Sequence, residues 1–233
     1  MRNGDWMETY TGKRIYPLDP RTEDICIEDI AHGLSNICRY NGHSKFFFSV
    51  AHHSLNCCAY AKRVGLSKRM QYLCLLHDAA EAYVGDVVRP LKPYIPLFEE
   101  MEKRIQQVIY IALGIKPPSK NEEATVSMID TKQLVTEVAI LMPFKQWGKW
   151  TEGFEPDTKT IISEASIGIV EADFLSALRR YLKEAQNERL PDIPTKEPAC
   201  ICGSGCTCGD GCKCRDKAKT EELRDVLDMG RCD

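Results

Sequence analysis

The chain has 233 residues, of which 43% are hydrophobic and 28% charged, with a formal net charge of −3. Such a composition excludes wholesale disorder and is ample for one core of moderate size plus an extension. With 31 basic residues against 34 acidic ones, it also lacks the broad basic field that a stable nucleic-acid complex needs.

The opening run Met1-Arg2-Asn3-Gly4-Asp5-Trp6 has no apolar signal core, and the most apolar stretch, Val108 to Leu113, is too short to span a bilayer. A cytoplasmic protein without a membrane partner is expected. Residues 1–25 mix turn formers (Gly12, Pro17, Pro20) with short polar and aromatic runs, which reads as an irregular arm with a small hairpin around Gly12.

From Ile27 the apolar period becomes helical. Ile27, Ile30, Ala31, Leu34 and Ile37 form one stripe, stopped by Asn41-Gly42. A second helix runs through Phe47 to Val64, with Phe48, Ala51, Leu55, Cys58 and Ala59 on one face and Gly65 at its end. Ser67 caps a third, which carries Met70, Leu73, Cys74 and His77 and continues to about Gly85. Arg89-Pro90-Leu91-Lys92-Pro93 is a loop or extended segment. Three more amphipathic helices cover Leu97 to Leu113, Glu122 to Leu141 and Ser163 to Ala185. No alternating pattern competes in the first 190 residues, so the fold class is all-α. The composition turns polar at Leu190-Pro191-Asp192-Ile193-Pro194. That change divides a helical domain, 1–190, from a tail, 191–233.

All five histidines (His32, His43, His52, His53 and His77) precede residue 78. A metal site in the helical domain therefore combines few imidazoles with carboxylates. His77-Asp78 lies in a mostly apolar segment, where a charged carboxylate is costly unless paired or metal-bound. On a continuous helix the two side chains diverge by about 100° and both reach an ion between them, and Glu81 falls on the same face.

Four segments occur in order: Arg39-Tyr40-Asn41-Gly42-His43, Ser49-Val50-Ala51-His52-His53-Ser54-Leu55, Leu75 through Asp86, and Arg89-Pro90-Leu91-Lys92. Together they closely resemble the HD-domain metal-dependent phosphohydrolases, and within them the 5′-deoxynucleotidase branch and its phage relatives, which include dATP triphosphohydrolases. The resemblance covers about residues 10 to 142. It implies a metal set of His53, His77, Asp78 and Asp130 holding one divalent ion (Mn, Co, Zn, Fe, Ni or Mg). His53 is selected over His52 by its place in the Ser-Val-Ala-x-His-Ser pattern. His53 also turns away from the apolar stripe that contains Ala51.

The resemblance further implies that Glu81 handles protons and that Asp86 is an acid near the sugar or the attacking water. Arg39 matches a phosphate-binding guanidinium, suited to bidentate contact. Lys92 matches a second cation, and Pro90 and Tyr40 pack near the base. The expected activity is removal of phosphate or triphosphate from the 5′ position of a deoxynucleotide. Relatives commonly carry a lysine three residues before the last metal Asp, where this chain has Ser127, so both leaving groups stay open. Self-association is expected from the same resemblance. The alternative function is a nucleotide- or metal-binding regulator whose pocket does not turn over.

In the tail, Cys200, Cys202, Cys206, Cys208, Cys212 and Cys214 form three Cys-x-Cys pairs separated by glycine-rich spacers. Thiolates at this density suit Zn or Cu(I). Two readings stand: a short metallothionein-like cluster, or a disordered tail that picks up metal adventitiously.

Overall fold

The computed structural model describes residues 2–143 and 152–189; the six tail cysteines and the proposed boundary near 190 lie outside the described residues. The chain opens with a two-stranded antiparallel ladder, β1 (Met7–Glu8) and β2 (Arg14–Ile15), around a turn in which Gly12 takes φ +80°. The arm is pinned by the Arg2 guanidinium, which pairs with Asp24 and lies over the Tyr16 ring, and by Asp29, which accepts from the Thr11 amide and hydroxyl.

The rest of the described chain is mostly helical: α1 (Ile27–Asn36), α2 (Val50–Arg63), α3 (Lys68–Leu76), α4 (Glu81–Val84), α5 (Pro96–Ala112), α6 (Lys120–Leu141) and α7 (Ile167–Arg189). Serine hydroxyls start three of them, Ser67 as expected from the sequence and Ser49 and Ser119 in addition. Ser49 accepts from the His52 amide and Ser67 from the Met70 amide, while Ser119 and Glu122 form a reciprocal capping box.

α2 lies at the centre, packed against α1, α3, α6 and α7. Ile30, Leu34, Leu73, Leu75, Leu76, Ile105, Ile109, Phe174 and Leu178 are essentially inaccessible and form the core. Each such side chain contributes on the order of 1.5–3 kcal/mol of burial. No helix among the described residues is long and apolar enough to cross a membrane.

Several boundaries differ from the sequence expectation, among them the start of α2, at Val50 rather than Phe47. α1 ends at Asn36, and Arg39–Gly42 is a separate tight turn in which Tyr40, Asn41 and Gly42 all have positive φ. α7 begins four residues after Ser163. Most consequential, the helix expected from Ser67 to Gly85 is broken. α3 stops at Leu76, residues 77–80 form a turn, and α4 restarts at Glu81.

α4 is held close to α1 at Gly33. A Cβ there would lie 2.9 Å from the Ala82 carbonyl oxygen and 3.1 Å from its Cα. Backbone cannot yield as a flexible side chain can. Gly33→Ala is therefore expected to destabilise the protein by about 1–3 kcal/mol, read as a lower urea midpoint; an unchanged midpoint would show that α4 can move off α1.

Candidate metal centre and adjoining cavity

His53 projects from α2, His77 and Asp78 from the turn after α3, and Asp130 from α6. Their donor atoms converge. His53 Nε2 lies 3.3 Å from His77 Nε2, 3.1 Å from Asp130 Oδ1 and 3.9 Å from Asp78 Oδ2. His77 Nε2 lies 3.1 Å from Asp78 Oδ2 and 4.0 Å from Asp130 Oδ1. Ligand bonds of about 2.1 Å set neighbouring donors about 3.0–3.4 Å apart; the His53–His77, His53–Asp130 and His77–Asp78 separations fall in that range, while His53–Asp78 and His77–Asp130 are wider, at 3.9 and 4.0 Å. His52, by contrast, packs its ring against Phe48, with centroids 4.5 Å apart and planes tilted by 32°.

Both imidazoles have their far nitrogen occupied, which fixes the tautomer that leaves Nε2 as the donor. His77 Nδ1 is 2.9 Å from the Cys74 carbonyl oxygen. His53 Nδ1 is 2.5 Å from Glu137 Oε1. Glu137 is completely buried and its other oxygen accepts from Arg39 Nε (3.1 Å) and the Tyr40 hydroxyl (2.6 Å). This carboxylate links the His53 imidazole, a guanidinium and a phenol, and sequence reasoning assigned it no role. Cys57 was missed as well. It follows His53 by one helical turn on α2, and its Sγ lies 3.5 Å from His53 Nε2, so that among the described residues His53, Cys57 and His77 bring together donor atoms able to hold a metal ion. Burial pushes the Cys57 thiol up to about 11.

Charge pairing governs the protonation of the centre. Burial and the nearby Arg39 disfavour the His53 imidazolium, but Cys57, Glu137 and the contact with Asp130 outweigh them and hold its pKa well above the ordinary value. Burial likewise opposes the charge on His77, and Asp78 overcomes it. Asp78 and Asp130 move the other way: burial would raise them, and the neighbouring imidazoles lower them.

Metal must therefore displace protons from raised histidines. Apparent Co(II) affinity is expected to keep climbing as pH rises past the ordinary histidine pKa of about 6.5, and a flat titration would rule out imidazole ligation. In the metal-free protein the trend reverses. A raised folded-state pKa gives stability that is fully present below the unfolded histidine pKa and is lost as pH rises through the folded value.

A cavity of about 750 Å³ opens beside the centre, lined by Arg39, Tyr40, His43, Asp78, Glu81, Asp86, Arg89, Pro90, Lys92 and Asp130 among others. Every substrate-binding and catalytic residue expected from the sequence thus borders one space. Glu81 is 3% exposed, and its Oε2 has no hydrogen-bond partner among the described residues. Burial first, then Asp78 and Asp86, push its pKa well above the usual carboxylate value. Asp86 is also raised, chiefly by burial.

The cations are already engaged. Arg39 Nη1 is 3.8 Å from Asp78, Arg89 Nη2 reaches Asp130 Oδ2 at 2.8 Å, and Lys92 Nζ bonds Glu102 at 3.1 Å and lies 3.7 Å from Glu81. Asp130 is thus paired with Arg89 as well as with His53. Tyr40 and Asn41, at φ +59° and +49°, hold the cavity rim in a conformation that costs non-glycine residues on the order of 1–3 kcal/mol. The rim is tied down by Arg39 N to Phe48 O (2.8 Å) and Lys45 N to Leu141 O (3.0 Å).

Comparison with known proteins gives relatives but no activity. No protein-family model matches the chain. It is 38% identical to "Uncharacterized protein YfdR" of Escherichia coli over 112 residues, which is 48% of this chain and 60% of that protein. It is 36% identical to an uncharacterized protein of Rhodobacter capsulatus over 115 residues, 47% of this chain and 59% of the relative. The chain thus spans about three-fifths of the length of these curated relatives, and its similarity to them extends over about half of its own residues.

Proposed function

We propose that the chain is an HD-type, metal-dependent phosphohydrolase that removes the phosphate part from the 5′ position of a deoxynucleotide. The observation that carries this reading is the convergence of His53, His77, Asp78 and Asp130 at the edge of a cavity that also holds a buried, high-pKa carboxyl and three cations. Those four residues would hold one divalent ion. When bound, such an ion supplies Lewis-acid stabilisation of a phosphoryl oxygen and acidifies water.

The chain's own residues then have distinct tasks. Arg39, Arg89 and Lys92 exchange part of their carboxylate contacts for phosphate oxygens; the guanidinium forks suit two oxygens at once. Arg89, with 42% of its side chain exposed, has the most freedom to swing toward a ligand. Glu81 holds a proton to higher pH than an ordinary glutamate, which suits transfer to or from an ester oxygen. Tyr40 and Pro90 present flat surfaces to the sugar or base.

A regulator that binds nucleotide without turnover is favoured by one feature, the pairing of Arg89 with Asp130 and of Lys92 with Glu81 and Glu102, which leaves the cavity self-neutralised. A product assay separates the two. The protein is offered each dNTP, dNMP and matching ribonucleotide with Mn, Co, Zn or Mg, and products are resolved by chromatography. The expected result is free deoxynucleoside, with phosphate or triphosphate identifying the leaving group. Nucleotide binding with no turnover under any metal would overturn the hydrolase in favour of the regulator.

A further inference from the structure

The break between α3 and α4 has an identifiable cause. In a continuous α-helix the Ala80 amide would donate to the Leu76 carbonyl oxygen, four residues back. Here the Gln106 side chain from α5 stands between them. Its Oε1 accepts from Ala80 N at 2.9 Å, and its Nε2 donates to Leu76 O at 2.8 Å. The Tyr110 hydroxyl, one turn further along α5, hydrogen-bonds to the same amide.

A side chain inserted into the i→i−4 ladder is a recognised cause of a sharp helix kink. Downstream, the ladder tightens to three-residue spacing: Ala79 N to Leu76 O, Glu81 N to Asp78 O, Ala82 N to Ala79 O and Tyr83 N to Ala80 O, at 3.0–3.3 Å. At three residues per turn, side chains at i and i+3 eclipse. Asp78 and Glu81 are such a pair, consistent with Asp78 being the leading charge that raises the Glu81 pKa. The interrupted segment is also where His77 Nε2 and Asp78 Oδ2 come within 3.1 Å of each other.

We infer that Gln106 is a positioning residue that builds the metal centre by holding the helix open between Leu76 and Ala80, so that the adjacent His77 and Asp78 bind one ion. The inference rests on the metal-centre reading of the four donor residues. It gives the α5 residue a role that neither its exposure nor its sequence neighbours suggest.

The test substitutes Gln106→Met, which keeps side-chain length and removes both hydrogen bonds, and titrates the metal-free protein with Co(II) followed by its visible absorption. Without the wedge, Ala80 N can bond Leu76 O directly. The expected result is a loss of about 10–100-fold in Co(II) affinity and an altered Co(II) spectrum, with no fall in the thermal midpoint of the metal-free protein. Gln107→Met, an exposed neighbour on the same helix, is expected to match wild type.

Equal Co(II) affinity in wild type and Gln106→Met would overturn the inference. So would a lost affinity accompanied by a clearly lower metal-free midpoint, which would mark Gln106 as a packing residue. Should Gln106→Met fail to fold, Gln106→Asn, one methylene shorter, is read by the same titration and the same criteria. Failure of the wild-type protein to bind Co(II) would overturn the metal-centre reading itself, an outcome distinct from equal binding in both proteins.

Discussion

If the chain is the phosphohydrolase proposed above, Glu81→Gln is expected to lower turnover by about 10²–10⁴-fold while metal occupancy stays at the wild-type level. The substitution keeps the volume of a side chain that is 3% exposed and removes only its ability to take up and release a proton. Glu81 is not among the four converging donors, so its loss should leave them in place. Lys92, 3.7 Å from Glu81, retains Glu102 as its closer partner. Steady-state rates and metal analysis on the same preparation check the prediction. Undiminished turnover in the variant would remove Glu81 from the mechanism, and loss of the metal would recast it as part of the ion's support.

A second substitution acts on stability as well as on the ion. Glu137 bonds His53, Arg39 and Tyr40 from a position with no solvent exposure. Its carboxylate is held charged because His53 and Arg39 offset the burial that would raise its pKa. Glu137→Ala strips the nearest countercharge from the buried Arg39 guanidinium, an operation expected to cost on the order of 3–5 kcal/mol. It also frees the His53 ring to rotate, with a loss of about 10–100-fold in metal affinity. Urea unfolding of the metal-free protein and Co(II) titration report the two effects separately. Wild-type stability would mean that Asp78, 3.8 Å from Arg39, compensates on its own.

Much of the site was legible in local pattern. The i+2 relation of His53 to Ala51 turns it off the apolar stripe, and the structure buries it beside His77 while His52 packs against Phe48. Asp130, flanked by Ile129 and Leu134 on α6, needed a partner and has two, His53 and Arg89. Cys57 carried a readable signal too, since it falls one helical turn from His53 on the same face. Spacing alone does not single it out, because a cysteine in an apolar helix also packs as a small hydrophobe.

What the linear order of residues determined by itself is the set of local choices: serine caps, apolar stripes, helix-ending glycines, and which histidines and carboxylates share a segment. These depend on interactions within about one turn, so they are encoded within a few positions of one another. The tertiary structure alone decided the pairings that complete the site. Glu137 reaches His53 across 84 positions, Arg89 reaches Asp130 across 41, and Gln106 splits the helix at Leu76 across 30. A helical period through residues 68–84 carries no trace of that split, because its cause is a hydrogen-bonding amide delivered by another helix. Only when α5 brings the Gln106 amide to Leu76 and Ala80 is a partner supplied for both backbone groups at the point where His77 and Asp78 converge.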